Sequence, residues 1–176
     1  MKDGLSYIQK KVWMERGRRV EIAKLVSSII LCQVVGMMMG SIFTKPAILS
    51  WYGPLKKPFF TPPDWVFAPV WIILYILMGV AAFLVWRKST NQKQSRSALI
   101  LFGVQLILNV LWSVIFFGLR SPLGGLIEIS ILAVAILLTI QSFLQVSRVA
   151  GLLLIPYFLW VAFASGLNLS IWVLNR

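Results

Sequence analysis

Apolar residues fall in five runs of about twenty positions, 25–44, 65–86, 98–117, 123–144 and 152–174, with the polar and charged residues collected between them. A helix rises about 1.5 Å per residue and a hydrocarbon layer is about 30 Å thick, so each run predicts one membrane-crossing helix. The expected fold is all-α, an integral membrane bundle of five transmembrane helices. A basic extension is expected over 1–24 and the bundle over 25–176. In the extension, Ile8, Val12, Trp13 and Val20 make one apolar stripe that suits either a helix on the lipid surface or a plain charged flank.

The strongest local signal is WYGPLKKPFFTPPDWVFAPVWIILY, residues 51–75. Pro54, Pro58, Pro62 and Pro63 remove backbone donors and fix their own φ, so the first half reads as an irregular aromatic loop. Thr61-Pro62-Pro63-Asp64 then reads as a helix start, with the Thr61 hydroxyl as N-cap, prolines in the first turn and a carboxylate at the positive end. The second helix is therefore expected from about Pro62, with a kink at Pro69.

Helical phase gathers the polar and aromatic side chains. At 100° per residue, Phe67, Trp71, Tyr75 and Met78 share a face of the second helix, and Gln105, Asn109, Trp112 and Phe116 share one on the third. Trp160, Ala164 and Leu167 line a face of the fifth, with Asn168 at its edge. Amides and indoles are costly against lipid, so these faces should turn inward. Counted in residues from the outer side, Trp71, Asn109, Trp112 and Asn168 converge in the outer half of the bundle beneath the loop, while Trp160 lies near the midplane. A dry aromatic space with a few amides suits a flat apolar ligand. Glu128, inside the fourth run, is read either as reaching the interface or a neighbouring backbone, or as functional. Gly36 and Gly40 form a GxxxG pair, which fits a homodimer face or close packing within one bundle.

Composition agrees with a membrane class and narrows the chemistry. Hydrophobic residues make up 59% of the chain and charged ones 12%, and the mean hydropathy is +0.86. There is no histidine, and Cys32 is the single cysteine. Imidazole-ligated haem, His-containing zinc sites and imidazole-based nucleophilic triads are thereby excluded, and no resident cofactor or metal is expected. The net charge of +12 comes from the N-terminal segment and the inter-helix connections, so membrane orientation explains it and nucleic acid is not an expected partner. Twelve of the Lys and Arg residues fall on the N-terminal side, and five (Lys45, Lys56, Lys57, Arg120, Arg176) on the other. That asymmetry places the N-terminus in the cytoplasm and the C-terminus outside.

Three segments in order, 51–75, QLILNVLWSVIFFG (105–118) and IPYFLWVAFASGLNLSIWVLN (155–175), give the chain a resemblance to the TspO/translocator-protein family, also called tryptophan-rich sensory proteins or the peripheral-type benzodiazepine receptor. The resemblance implies a five-helix bundle that binds porphyrins, sterols and benzodiazepine-type ligands in a cavity under the first loop. By motif, Trp71, Asn109, Trp112, Trp160, Ala164 and Leu167 would line it and Trp51 would cap it; helical phase adds Tyr75 and Asn168. The sterol motif of animal members needs a tyrosine where Leu169 stands. Family dimers use small residues where this chain has Ile100 and Val104, which leaves Gly36 and Gly40 as its dimer candidates. Three functions stay open: a receptor or sensor for protoporphyrin-type tetrapyrroles as ligand rather than cofactor; light- or oxygen-dependent porphyrin degradation, with Trp71 and Trp160 as electron partners in place of acid–base residues; and transport of porphyrin, lipid or sterol. The receptor is preferred because the chain shows neither acid–base machinery nor an inverted repeat.

Overall fold

A computed structural model describes the backbone of residues 2–88 and 92–176, and their side chains except at 2–13, 38–40 and 49. Among these residues every regular element is helical. Five helices are long and apolar enough to cross a membrane: Met14–Ala47, Asp64–Arg87, Gln92–Gly118, Pro122–Val146 and Arg148–Leu174. The protein is a multi-pass membrane protein.

The first crossing contains α1 (Lys2–Gln33), a π-helical turn at Val34–Met38, and α2 (Met39–Ala47). Helix α1 runs through position 24 without a break, so the basic extension continues directly into the first crossing. The stripe through Ile8, Val12 and Trp13 lies outside the described side chains. A second π-helical turn, Ile48–Tyr52, is closed by the Gly53 N–H donating to the Ile48 carbonyl at 2.8 Å. Trp51 and Tyr52 thus sit on a helical turn rather than in an irregular loop; the first crossing carries Pro46 inside α2, and the prolines of the connection begin only at 54.

Helix α3 (Asp64–Arg87) begins two residues later than expected, with Pro63 as its N-cap and no side-chain cap. Each residue before a proline is pushed out of the α region. Thr61 and Pro62 both precede one, and Pro63 itself is extended at ψ 144°. Freed from the cap, the Thr61 hydroxyl donates to the Pro58 carbonyl at 2.8 Å and closes a turn of the connection. The helix continues through Pro69.

Helix α4 (Gln92–Ser113) ends in a π-helical turn, Val114–Gly118. Arg120 takes a positive φ of 54° to reverse the chain, and the Ser121 hydroxyl caps α5 (Pro122–Val146) by accepting from the Gly124 N–H at 3.1 Å. Extended Ser147 then separates α5 from the short α6 (Arg148–Leu152), which leads into α7 (Ile155–Leu174).

Helix α4 packs along α5, α1 along α3, and α5 along α7. Met78, Leu132, Ile136, Phe143 and Tyr157 are fully buried where the helices meet. The opposite faces, with Ile107, Ile131, Val134 and Leu159 exposed, present apolar side chains to lipid, as a crossing helix must. Helices α1 and α3 approach closely at Gly79, where an added Cβ would stand 2.6 Å from the Ile29 Cα. There the Ser28 hydroxyl donates to the Gly79 carbonyl at 2.9 Å.

Glu128 is enclosed by the bundle and bonds to no neighbouring backbone. It is 4% exposed, and both carboxyl oxygens lack a hydrogen-bonding partner within the protein. An unpartnered buried polar group costs about 1–3 kcal/mol. Glu128→Leu is therefore expected to raise the melting temperature of the detergent-solubilised protein. A drop instead would show that the carboxyl does form a stabilising contact.

Candidate functional site

Helices α3 and α7 come together less along their backbones than α5 and α7 do, and aromatic side chains meet between them. The result is a cavity of about 340 Å³ with walls from the first crossing and from α3, α4, α5 and α7. That volume is at the small end of the usual range for ligand pockets, about 300–1,000 Å³.

Aromatic rings make the walls. Trp71 stacks on Tyr75, with centroids 5.2 Å apart and planes 24° from parallel, and meets Tyr157 edge-on at 6.3 Å. Phe67 and Trp160 face each other edge-on at 5.8 Å across the α3–α7 gap. Trp112 stacks on Phe116 at 4.9 Å. The π-helical turn of the first crossing puts Gly36 directly against the Tyr75 ring, which any Cβ at 36 would strike. Gly36 thus makes a close approach within the bundle, while Gly40 lies outside the described side chains.

The two asparagines both line the cavity, and both are engaged by the protein. The Tyr75 hydroxyl donates to the Asn109 Oδ1 at 2.6 Å, and the Asn109 Nδ2 donates to the Tyr157 hydroxyl at 3.1 Å, which joins α3, α4 and α7. The Trp112 Nε1 donates to the Asn168 Oδ1 at 3.1 Å, and the Asn168 Nδ2 donates to the Pro122 carbonyl at 2.7 Å, which joins α4, α5 and α7. Gly125 gives Asn168 its room, since a Cβ there would lie 2.9 Å from the Asn168 Oδ1. These amides fix the ring positions, and the interior they leave is dominated by apolar surface.

Of the residues singled out in the sequence, Trp71, Tyr75, Asn109, Trp112, Trp160, Ala164, Leu167 and Asn168 all line the cavity. Trp51 does not. The turn that carries it directs its ring edge-on to Phe116 at 5.5 Å, behind the wall, and the neighbouring Tyr52 faces the cavity.

The mouth is polar. Lys45, in the last turn of α2, and Asp64, in the first turn of α3, are exposed on its rim. Lys57 places its ammonium 4.4 Å above the centre of the Tyr52 ring. Burial, and then the nearby Asp64 carboxylate, raises the pKa of the Tyr52 hydroxyl above its usual value. The connection after Tyr52 is tied to the end of α7 by Asn175. Its Oδ1 accepts from the Lys56 N–H at 3.0 Å and its Nδ2 donates to the Lys56 carbonyl at 2.9 Å. Asn175 carries no signal in the sequence that distinguishes it from a terminal polar residue. Among the described residues no group of three or more His, Cys, Asp or Glu is placed to hold a metal ion.

The sequence model of the TspO/MBR family matches residues 28–173. The chain is 43% identical over 157 residues to a tryptophan-rich protein TspO of Archaeoglobus fulgidus, covering 89% of this chain and 99% of that one. It is 38% identical over 143 residues to the translocator protein of Homo sapiens, covering 81% and 85%. A tryptophan-rich sensory protein of Cereibacter sphaeroides is 36% identical over 139 residues, covering 77% and 85%.

Proposed function

The chain belongs to the TspO/MBR family, and on that premise we propose that it is a membrane receptor or sensor that takes a flat tetrapyrrole of the protoporphyrin IX type into the aromatic cavity. The observation that carries this reading is that Trp71 on α3 and Trp160 on α7, with Tyr75 and Phe67 packed beside them, line one largely apolar cavity. Flat rings gain both buried area and stacking energy between such walls. The names of two relatives, a translocator protein and a sensory protein, are in keeping with ligand handling at a membrane. The same reading extends to benzodiazepine-receptor-type ligands, which are also aromatic and apolar. In this reading the N-terminus is cytoplasmic and the cavity opens on the outer side, by the distribution of Lys and Arg.

Recognition here needs no covalent step and no metal ligation. The ring stacks, the hydrogen-bonded asparagines brace the walls, and Asn175 ties the connection after Tyr52 to the end of α7. The test is a titration of the purified protein with protoporphyrin IX, in the dark and under illumination, following tryptophan emission and the porphyrin absorption bands. Saturable quenching with one ligand per chain and unchanged absorption bands is the expected result. Light-dependent loss of those bands, dependent on Trp71 and Trp160, would move the function to porphyrin degradation. Absence of saturation would remove the cavity as a porphyrin site.

A further inference from the structure

Polar atoms are unevenly distributed around the cavity. Inside, the amides of Asn109 and Asn168 and the indole N–H of Trp112 are bonded to other protein groups. Two residues on its lining carry a formal charge, Lys45 and Asp64, and both stand at the mouth. The Lys45 ammonium is exposed on the rim and, among the described residues, has no ion pair or hydrogen bond. Asp64 sits at the N-terminus of α3, where the backbone N–H groups and the helix dipole favour a negative charge. Lys57, over the Tyr52 ring, adds a second cation beside the same opening. The mouth therefore has two cations and one anion, and the anion already has a favourable setting.

A cation at the end of a helix also suits the helix dipole, and that alone would account for a lysine in the last turn of α2. It would not account for an ammonium left unpaired on the rim of an apolar cavity. We propose that Lys45 is a specificity-determining residue, selecting flat apolar ligands that carry a carboxylate on one edge and orienting them with the acidic edge at the mouth. This rests on the cavity being the ligand site. A ligand whose ring lies between Trp71 and Trp160 has an apolar interior for its body, and the mouth is the place where an acidic edge meets a cation and water together. Burying that edge deeper would strip its solvation with no cation to meet it, since Lys45 is the cation of the described lining. Ser41 and Thr44, on the preceding turn, line the same side of the cavity.

The test compares protoporphyrin IX with its dimethyl ester, which keeps the ring and removes both carboxylates, by tryptophan quenching in low-salt detergent solution. The protein is expected to bind the diacid about fivefold tighter than the diester, the scale of one partly exposed ion pair. That preference should shrink as salt is added. In Lys45→Gln the ratio of the two affinities should fall to about one, and Lys45→Arg should keep the preference. Equal binding of diacid and diester by the unaltered protein, or a preference unchanged in Lys45→Gln, overturns the role of Lys45 while leaving the cavity as the site. Failure of both porphyrins to bind overturns the cavity reading and the Lys45 proposal with it.

Discussion

Replacing Trp71 and Trp160 together by alanine is expected to weaken protoporphyrin IX binding about a hundredfold, since each aromatic surface stacked on a flat ring is worth about 1–3 kcal/mol. The two indoles stand on α3 and α7, and both line the cavity. Each is also packed against a second ring, Tyr75 for Trp71 and Phe67 for Trp160. Their positions are therefore fixed before a ligand arrives, and little ordering cost remains for binding. Titration of the double variant against the unaltered protein measures the effect. Trp86→Ala supplies the control, because Trp86 is exposed at the far end of α3, beside Lys24, and its loss should leave porphyrin affinity unchanged. A double variant that binds like the unaltered protein would place the ligand elsewhere.

The second large effect is expected at Gly36. A methyl group there enters the Tyr75 ring, and that ring has nowhere cheap to go. It is stacked on Trp71 and its hydroxyl is bonded to Asn109. Gly36→Ala should destabilise the bundle by about 1–3 kcal/mol, the usual cost of overpacking, and weaken ligand binding as Trp71 shifts with Tyr75. Thermal unfolding in detergent and porphyrin titration read the two consequences separately. Gly103→Ala and Gly166→Ala are the matched comparisons, since an added Cβ meets nothing within 4 Å at either position. If Gly36→Ala unfolds at the temperature of these two, the contact with Tyr75 is not rigid.

The five crossings were legible in the sequence because lipid imposes a constraint that composition alone reveals: twenty apolar residues with their backbone bonds satisfied internally. The cavity walls were legible for a related reason. Aromatic and amide side chains at helical spacing on Trp71–Tyr75, Asn109–Trp112 and Trp160–Ala164 had to turn away from lipid, and turning inward brought them together. Backbone detail was less accessible. Thr61 looked like an N-cap, but two successive prolines hold the chain extended until Pro63. Trp51 looked like a lid, but one π-helical turn rotates it behind the wall and brings Tyr52 forward. Such turns change which residue faces a site by a single position, and residue type does not encode that. Gly36 was visible as a small residue suited to close packing, yet the surface it meets, the Tyr75 ring of the same chain, depends on how the π-helical turn after α1 is set against α3. Lys45 counted in the sequence as a marker of orientation; its place on the rim emerged only when α2 and the cavity were seen together.

The asparagines illustrate a more general point about membrane interiors. From sequence they read as ligand contacts, because an amide facing a cavity has free donors and acceptors to offer. In the fold each is bonded to protein groups on two other helices, as expected where water is absent and an unpaired amide is costly. In the proposed reading their contribution to binding is positional: they tie down the Tyr75, Tyr157 and Trp112 side chains beside the cavity. The ring recognises the walls, and its polar edge is left to the mouth.

The most direct test is a structure of the protein with protoporphyrin IX bound. The ring is expected inside the cavity between Trp71 and Trp160, with its propionates at the mouth. A ring resting on a lipid-facing surface, with Trp71 still stacked on Tyr75 and the cavity unfilled, would contradict the assignment of this cavity as the ligand site.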